Sequence, residues 1–151
     1  MRYYKFKGKA LDDNKRYGVK KGEWVVGQMV NTEMHVCIIV TPYLSSYEYD
    51  CGKEKPCIEG DKIIEVIPET VCQQTPFKDL SLQEIWEGDV FHIESSDDLG
   101  VVVFLNGCWL VEWKRLNGKP VAGDFSRLCD VKYLGNVIGN IHDNPELIKE
   151  V

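Results

Sequence analysis

No hydrophobic run in this sequence is long. Its aliphatic stretches stop at five residues, as at Val36–Val40. A bilayer-spanning helix needs about 20 apolar residues, so none is expected and no membrane partner is inferred. Residues 1–9 interleave charged and aromatic side chains and lack the apolar centre of a secretory leader. A cytoplasmic location is the expectation. Closely spaced cysteine pairs are missing too. Cys37, Cys51, Cys57, Cys72, Cys108 and Cys129 are scattered, and without a leader they read as reduced thiols and small apolar fillers rather than disulfides. The nearest approach to a zinc set is Cys51 and Cys57 with His35 and Cys37. Structural zinc takes cysteine pairs separated by about two to four residues, and that spacing does not occur here. There is no phosphate loop, dinucleotide fingerprint, serine elbow or His-rich motif. No catalytic residue, metal or cofactor is assigned.

What the chain does contain is enough apolar material for a core: 44% hydrophobic and 11% aromatic side chains over 151 residues. That composition argues against disorder and for one domain, or one domain with a subdomain. The net charge of −6 is uneven. Residues 1–22 hold eight basic and two acidic side chains, a net +6, which leaves −12 for the rest. An acidic body repels nucleic acid, whereas the basic segment Arg2–Lys21 could attract it; ordinary solvated lysines are the better account of that segment.

Periodicity is that of strands. Tyr4 and Phe6 alternate with Lys5 and Lys7, and residues 23–30, 34–40 and 62–67 continue the pattern until Pro68 stops it. Residues 41–61, rich in Pro, Gly and Ser, read as a long connection. Ser81 followed by Glu84 has the form of a capping box and predicts one helical turn before Gly88. Residues 90–94 form a strand with Phe91 and Ile93 on one face. Asn106-Gly107 predicts a type I′ hairpin that sets Leu105, Phe104, Val103 and Val102 opposite Cys108, Trp109, Leu110 and Val111. Asn117-Gly118 predicts a second hairpin, and residues 131–134 and 137–141 further strands. Asn144, Pro145 and Glu146 read as the cap and first turn of a terminal helix. About eight or nine short strands with almost no helix make the chain mainly β, and tightly linked strands after Val90 suit a small barrel.

Three groupings bear on chemistry. Asp79, Glu84, Glu87 and Asp89 surround Trp86. Such carboxylates could serve acid–base work or a cation, but an Asx side chain before a strand more often bonds loop N–H groups. His92 and Cys108 could be imagined as a base and nucleophile, though nothing in the sequence orients the imidazole. Trp24, Trp86, Trp109 and Trp113 raise a binding face, with Trp109 better explained by a cross-strand ring pair with Phe104.

Two blocks carry a resemblance. Glu69-Thr70-Val71, Gln74-Thr75, Lys78-Asp79 and Glu84-Ile85-Trp86-Glu87-Gly88-Asp89 form the first, and Ile138-Gly139-Asn140-Ile141-His142-Asp143-Asn144-Pro145-Glu146-Leu147 the second. Together with Gly22-Glu23-Trp24-Val25-Val26-Gly27 near the start, they resemble the YopX family of phage and prophage proteins. Pro76-Phe77 and Ser81-Leu82-Gln83 depart from its usual pattern. The resemblance implies a phage or prophage origin, a β-rich fold with an SH3-like barrel, self-association and no established activity. The expected layout is an N-terminal β subdomain over residues 1–68 with its long loop at 41–61, an SH3-like barrel over 69–151, and a short C-terminal helical turn. Contact candidates are Gln74, Thr75, Lys78, Asp79, Trp86, Glu87 and Asp89. The functional expectation is a non-catalytic phage accessory module that binds an unidentified protein, with homo-oligomerisation; the alternative is a nucleic-acid binder acting through the basic N-terminal segment.

Overall fold

Alternation of apolar and polar side chains becomes antiparallel sheet. A computed structural model describes residues 4–31, 33–40 and 62–149. The expected long connection at 41–61 lies outside the described residues. The chain divides into two compact units, Met1–Val71 and Cys72–Val151.

In the first unit, β1 (Phe6–Lys9), β2 (Trp24–Asn31), β3 (Val36–Val40) and β4 (Lys62–Glu65) lie in the order β4-β3-β2-β1. β3 is internal, as its two apolar faces suggest. Side chains alternate across a sheet, and here one face buries Val25, Ile38 and Ile64, with Ala10 and Val66 beside them. Pro68, which has no N–H to give a ladder, ends the extended run and opens a 3-10 turn at Pro68–Thr70. Thr70 ties that turn down: its Oγ1 donates to the Ile67 carbonyl at 2.7 Å and accepts from the Lys9 N–H at 2.9 Å.

In the second unit, β5 (Cys72–Lys78) pairs with β6 (Glu84–Trp86). A five-stranded antiparallel sheet follows: β7 (Asp89–Ile93), β8 (Asp98–Leu105), β9 (Cys108–Leu116), β10 (Lys119–Arg127) and β11 (Asn136–Asn140), in the order β10-β9-β8-β7-β11. Helical turns α1 (Leu128–Val131) and α2 (Glu146–Lys149) complete it. Phe91, Ile93, Val102, Val111 and Trp113 from the sheet, Ile85 from β6 and Leu128 from α1 make one core. Burying a side chain such as Phe91 fully contributes about 1.5–3 kcal/mol relative to leaving it in water.

Both Asn-Gly hairpins form. Asn106 and Gly107 have φ of 51° and 79°, the left-handed pair that a type I′ turn requires. The register places Leu105, Phe104, Val103 and Val102 opposite Cys108, Trp109, Leu110 and Val111, as the sequence predicts. Asn117 and Gly118 repeat the geometry and pair Leu116 with Lys119. Phe104 and Trp109 form the expected ring pair, 4.8 Å between centroids.

Three local expectations fail. The helical turn at Ser81–Glu84 is a left-handed bend leading into β6, with Leu82 at φ 65°. The cause is Asp79, which occupies the turn's N–H groups before Ser81 can cap them. Residues 131–134 are not a strand. Leu128, wholly buried, anchors a helical turn, and Lys132 and Leu134 donate to the Leu128 and Val131 carbonyls at 2.9 Å. Burial there outweighs local β preference. Residues 72–78, where the sequence predicts no strand, form β5. Pro76 is accommodated where the register shifts between Gln74 and Lys78. The barrel itself is not closed among the described residues. The segment through α1 carries the chain from β10 to the opposite side of the sheet, so β10 and β11 end as its two edges. The fold is mainly β, with open antiparallel sheet and little helix.

Candidate functional site

Seven contact candidates lie on β5, β6 and the bends that join them to each other and to β7. Asp79 follows β5 and is 3% exposed. Its Oδ1 accepts the N–H groups of Ser81 and Gln83, each at 2.9 Å, and its Oδ2 accepts that of Val137 at 3.0 Å. Asp89 opens β7 and is equally buried. Its Oδ2 accepts the Trp86 N–H at 2.7 Å, and its Oδ1 accepts from the Asn140 Nδ2 at 2.9 Å. Both carboxylates are thus engaged by amides.

The remaining candidates divide by exposure. Thr75 is buried, and its Oγ1 accepts the Phe77 N–H at 3.2 Å, a local bond that bends β5 at its register break. Gln74 pairs with Trp86 across the two strands. Glu87 bonds back to β5: its N–H donates to the Gln73 carbonyl at 2.9 Å, and its Oε2 accepts the Gln73 N–H at 3.4 Å. Trp86 is 9% exposed and belongs to the interior. Lys78 is exposed, opposite Glu84. The acidic cluster therefore does not converge. Asp79 and Asp89 face different backbone amides, Glu84 is exposed, and Glu87 is half-buried against Gln73.

Sequence reasoning missed the partners of these residues. Asn136 Oδ1 accepts from the Ser81 hydroxyl at 2.8 Å, and Leu80 donates to the Gly135 carbonyl at 3.1 Å. Asn140, 5% exposed, gives its Nδ2 to Asp89, and its Oδ1 accepts the His142 N–H at 3.0 Å. Asn144, expected as a helix cap, accepts through Oδ1 from the Asn140 N–H at 3.4 Å, while its carbonyl takes the Leu147 N–H. The block around Glu69–Asp89 and the block around Val137–Ile148 are thus bonded to one another. The signal in the sequence was Asp79, Gly88 and Asp89 in the first block and Gly139, Asn140, Asp143 and Asn144 in the second, residue types that bond or bend backbone.

Matching that bonded pair of blocks, the family model described as YopX protein covers residues 20–149. The chain belongs to the YopX family. No curated protein matches it.

Other candidates are placed apart in this YopX protein. His92 lies opposite Leu99 and Cys108 opposite Leu105. Six residues along β8 separate those positions, about 20 Å at strand rise. His92 instead sits 3.4 Å from Asp97 Oδ1, which also accepts from Arg115 at 2.9 Å. Of the zinc candidates, Cys51 and Cys57 lie outside the described residues. His35 Nδ1 is 2.6 Å from Glu65 Oε1, and Cys37 stands opposite Glu65 in the ladder. Burial first, and then the Glu65 carboxylate, push the Cys37 thiol above its ordinary value. Among the described residues, no group of three or more His, Cys, Asp or Glu side chains is placed to hold a metal. No helix among them is long and apolar enough to cross a membrane.

The tryptophans take different roles. Trp113 is 4% exposed and donates its indole N–H to Ser126 Oγ at 2.9 Å. Trp24 is half-buried beneath lysines: the Lys7 and Lys9 ammonium groups lie 4.9 and 5.4 Å from its ring centroid, which is cation–π range.

Proposed function

We propose that this YopX-family chain is a phage or prophage accessory protein that acts in the host cytoplasm as a non-catalytic protein-binding module and self-associates. The observation that carries this reading is the direction in which its polar and apolar groups face. The signature carboxylates Asp79 and Asp89 turn inward onto backbone and Asn140, while Leu80, Leu82, Phe104, Phe125, Tyr133 and Leu134 stand exposed. Large exposed apolar groups that cluster on a small protein are the footprint of a protein contact. The SH3-like description belongs to the same reading: β6 packs its Ile85 onto the core of a short-stranded antiparallel sheet. In this reading Gln74, Thr75, Lys78, Asp79, Trp86, Glu87 and Asp89 shape the bends that present those apolar groups, with exposed Lys78 the member that reaches a partner.

Selection of peptides by the immobilised full chain tests this reading. Enrichment of related sequences supports it, and none at all refutes it.

One observation favours a second reading, nucleic-acid binding through the basic segment. Lys7 and Lys9 share a sheet face with Trp24, and cations interleaved with an aromatic ring suit a single-stranded backbone and its bases. Electrophoretic mobility shift on single- and double-stranded DNA decides it. A shift that fades as salt rises favours this reading, and no shift at low salt removes it.

A further inference from the structure

We propose that the surface formed by Leu80 and Leu82 with Tyr133 and Leu134 docks an acidic peptide segment bearing large apolar side chains. The inference rests on the protein-binding reading and gives it a place and a partner chemistry. The backbone bond from Leu80 to Gly135 and the bond from Ser81 to Asn136 set the two turns side by side. Leu80 is 56% exposed, Leu82 75%, Tyr133 65% and Leu134 57%. Scattered apolar side chains are ordinary on a surface, but four on two bonded turns make a patch.

Leu82 singles this patch out. Its N–H donates to the Asp79 carbonyl at 3.0 Å, and the Asp79 N–H donates to the Gln83 carbonyl at 3.0 Å. That bend needs a left-handed residue, and Leu82 takes φ 65°. Glycine or asparagine fills such a position without steric conflict, whereas leucine does not. Burial does not compensate, because Leu82 is the most exposed member of the patch. A strained and solvated leucine serves the isolated fold poorly; a partner that covers it removes the exposure, and the strain is then the cost of presenting that side chain.

Charge selects the partner. Lys132 holds its ammonium 4.0 Å from the Tyr133 ring centroid and 5.3 Å from that of Phe77. The cation is thereby fixed at the edge of the patch. Elsewhere in this unit, Lys114, Arg115 and Arg127 sit in ion pairs with Glu112, Asp97 and Asp130, while Lys119 and Lys149 form none among the described residues. Among the described residues, neither Lys132 nor nearby Lys78 is so paired. In a chain of net charge −6, two such cations beside apolar turns complement carboxylates flanking apolar side chains.

The test uses the full chain and a random-peptide display library, with selections on the wild type, on Leu82→Gly and on Lys132→Glu. The best peptide, synthesised with a fluorescent label, is titrated by anisotropy. Acidic peptides rich in Leu, Phe or Trp are expected to emerge. Their affinity should fall about tenfold or more with either variant, the loss typical of a truncated central contact. The Tm of Leu82→Gly should equal or exceed that of the wild type, which separates lost docking from lost folding. Basic peptides would overturn the charge argument. Peptides that bind Leu82→Gly as well as the wild type would overturn the location while leaving the protein-binding reading standing; an absence of any selected peptide removes both. A wild-type dimer in sedimentation that Leu82→Gly converts to monomer would assign the surface to a second copy and overturn the peptide proposal.

Discussion

Replacing Asp79 should unfasten the join between the two sequence blocks that define this family member. The carboxylate is 3% exposed and accepts three backbone N–H groups, from Ser81, Gln83 and Val137. Hydrogen bonds to a charged group are worth about 1.5–3 kcal/mol each, with larger losses where a buried donor is stranded. The three are not equal here. Ser81 keeps the Asn136 Oδ1 at 3.1 Å as a second acceptor, and Gln83 is exposed, so water replaces much of what is lost there. Val137 is half-buried, and its N–H faces the full penalty. Asp79→Ala is therefore expected to cost about 3–5 kcal/mol, a large share of the roughly 5–15 kcal/mol that stabilises a domain. Asp79→Asn, the variant that keeps a folded protein in hand, should cost about 2–3 kcal/mol. Its single oxygen serves the turn, and its Nδ2 then meets the Val137 N–H donor to donor. Urea unfolding followed by tryptophan fluorescence gives both values. Hydrogen exchange at the Val137 amide supplies the local reading, with protection falling first there. Arg127→Ala breaks only an exposed pair with Asp130 and should stay within about 0.5 kcal/mol. An Asp79→Ala protein within about 1 kcal/mol of the wild type would refute the assignment of Asp79 as the fastener.

Three further outcomes follow from the same geometry. Asn140→Ala strips Asp89 of a buried partner and should cost about 2–3 kcal/mol by urea unfolding; an Asp89→Ala/Asn140→Ala double variant that lost the sum of the two single costs would show the pair uncoupled. Gly135→Ala should destabilise by about 3 kcal/mol or more, because an added Cβ would meet the His92 backbone carbonyl oxygen at 2.3 Å, whereas Gly107→Ala, with open space around a left-handed φ, should cost about 1–2 kcal/mol; equal losses in thermal melts would contradict this. The raised Cys37 pKa means the folded protein holds the thiol proton more tightly than the unfolded chain does, so stability present below the ordinary value of 9.0 is lost as pH rises through the folded value. Wild type should therefore lose more stability than Cys37→Ala between about pH 8 and 10, and parallel pH profiles would remove the effect.

The sequence alone determined the strands of the first unit, the two Asn-Gly hairpins with their register, and the core face of residues 90–94. Each rests on a local rule: side chains alternate in a strand, and only certain residues accept left-handed backbone. Family membership was also legible, since it rests on residues in order along the chain. Tertiary structure alone decided three things. It made β5 from a Pro-bearing segment by giving that segment a partner strand at Glu84–Trp86, a choice no local propensity records. It turned residues 131–134, expected as a strand, into the end of a helical turn anchored by buried Leu128. It also decided what the signature residues do. Asp79 and Asp89 could have met a ligand or their own backbone, and nothing in a linear order says which. Their partners Val137 and Asn140 lie 58 and 51 residues further on, a separation that only the folded chain brings within hydrogen-bond reach, because a buried carboxylate must find its donors wherever packing has placed them.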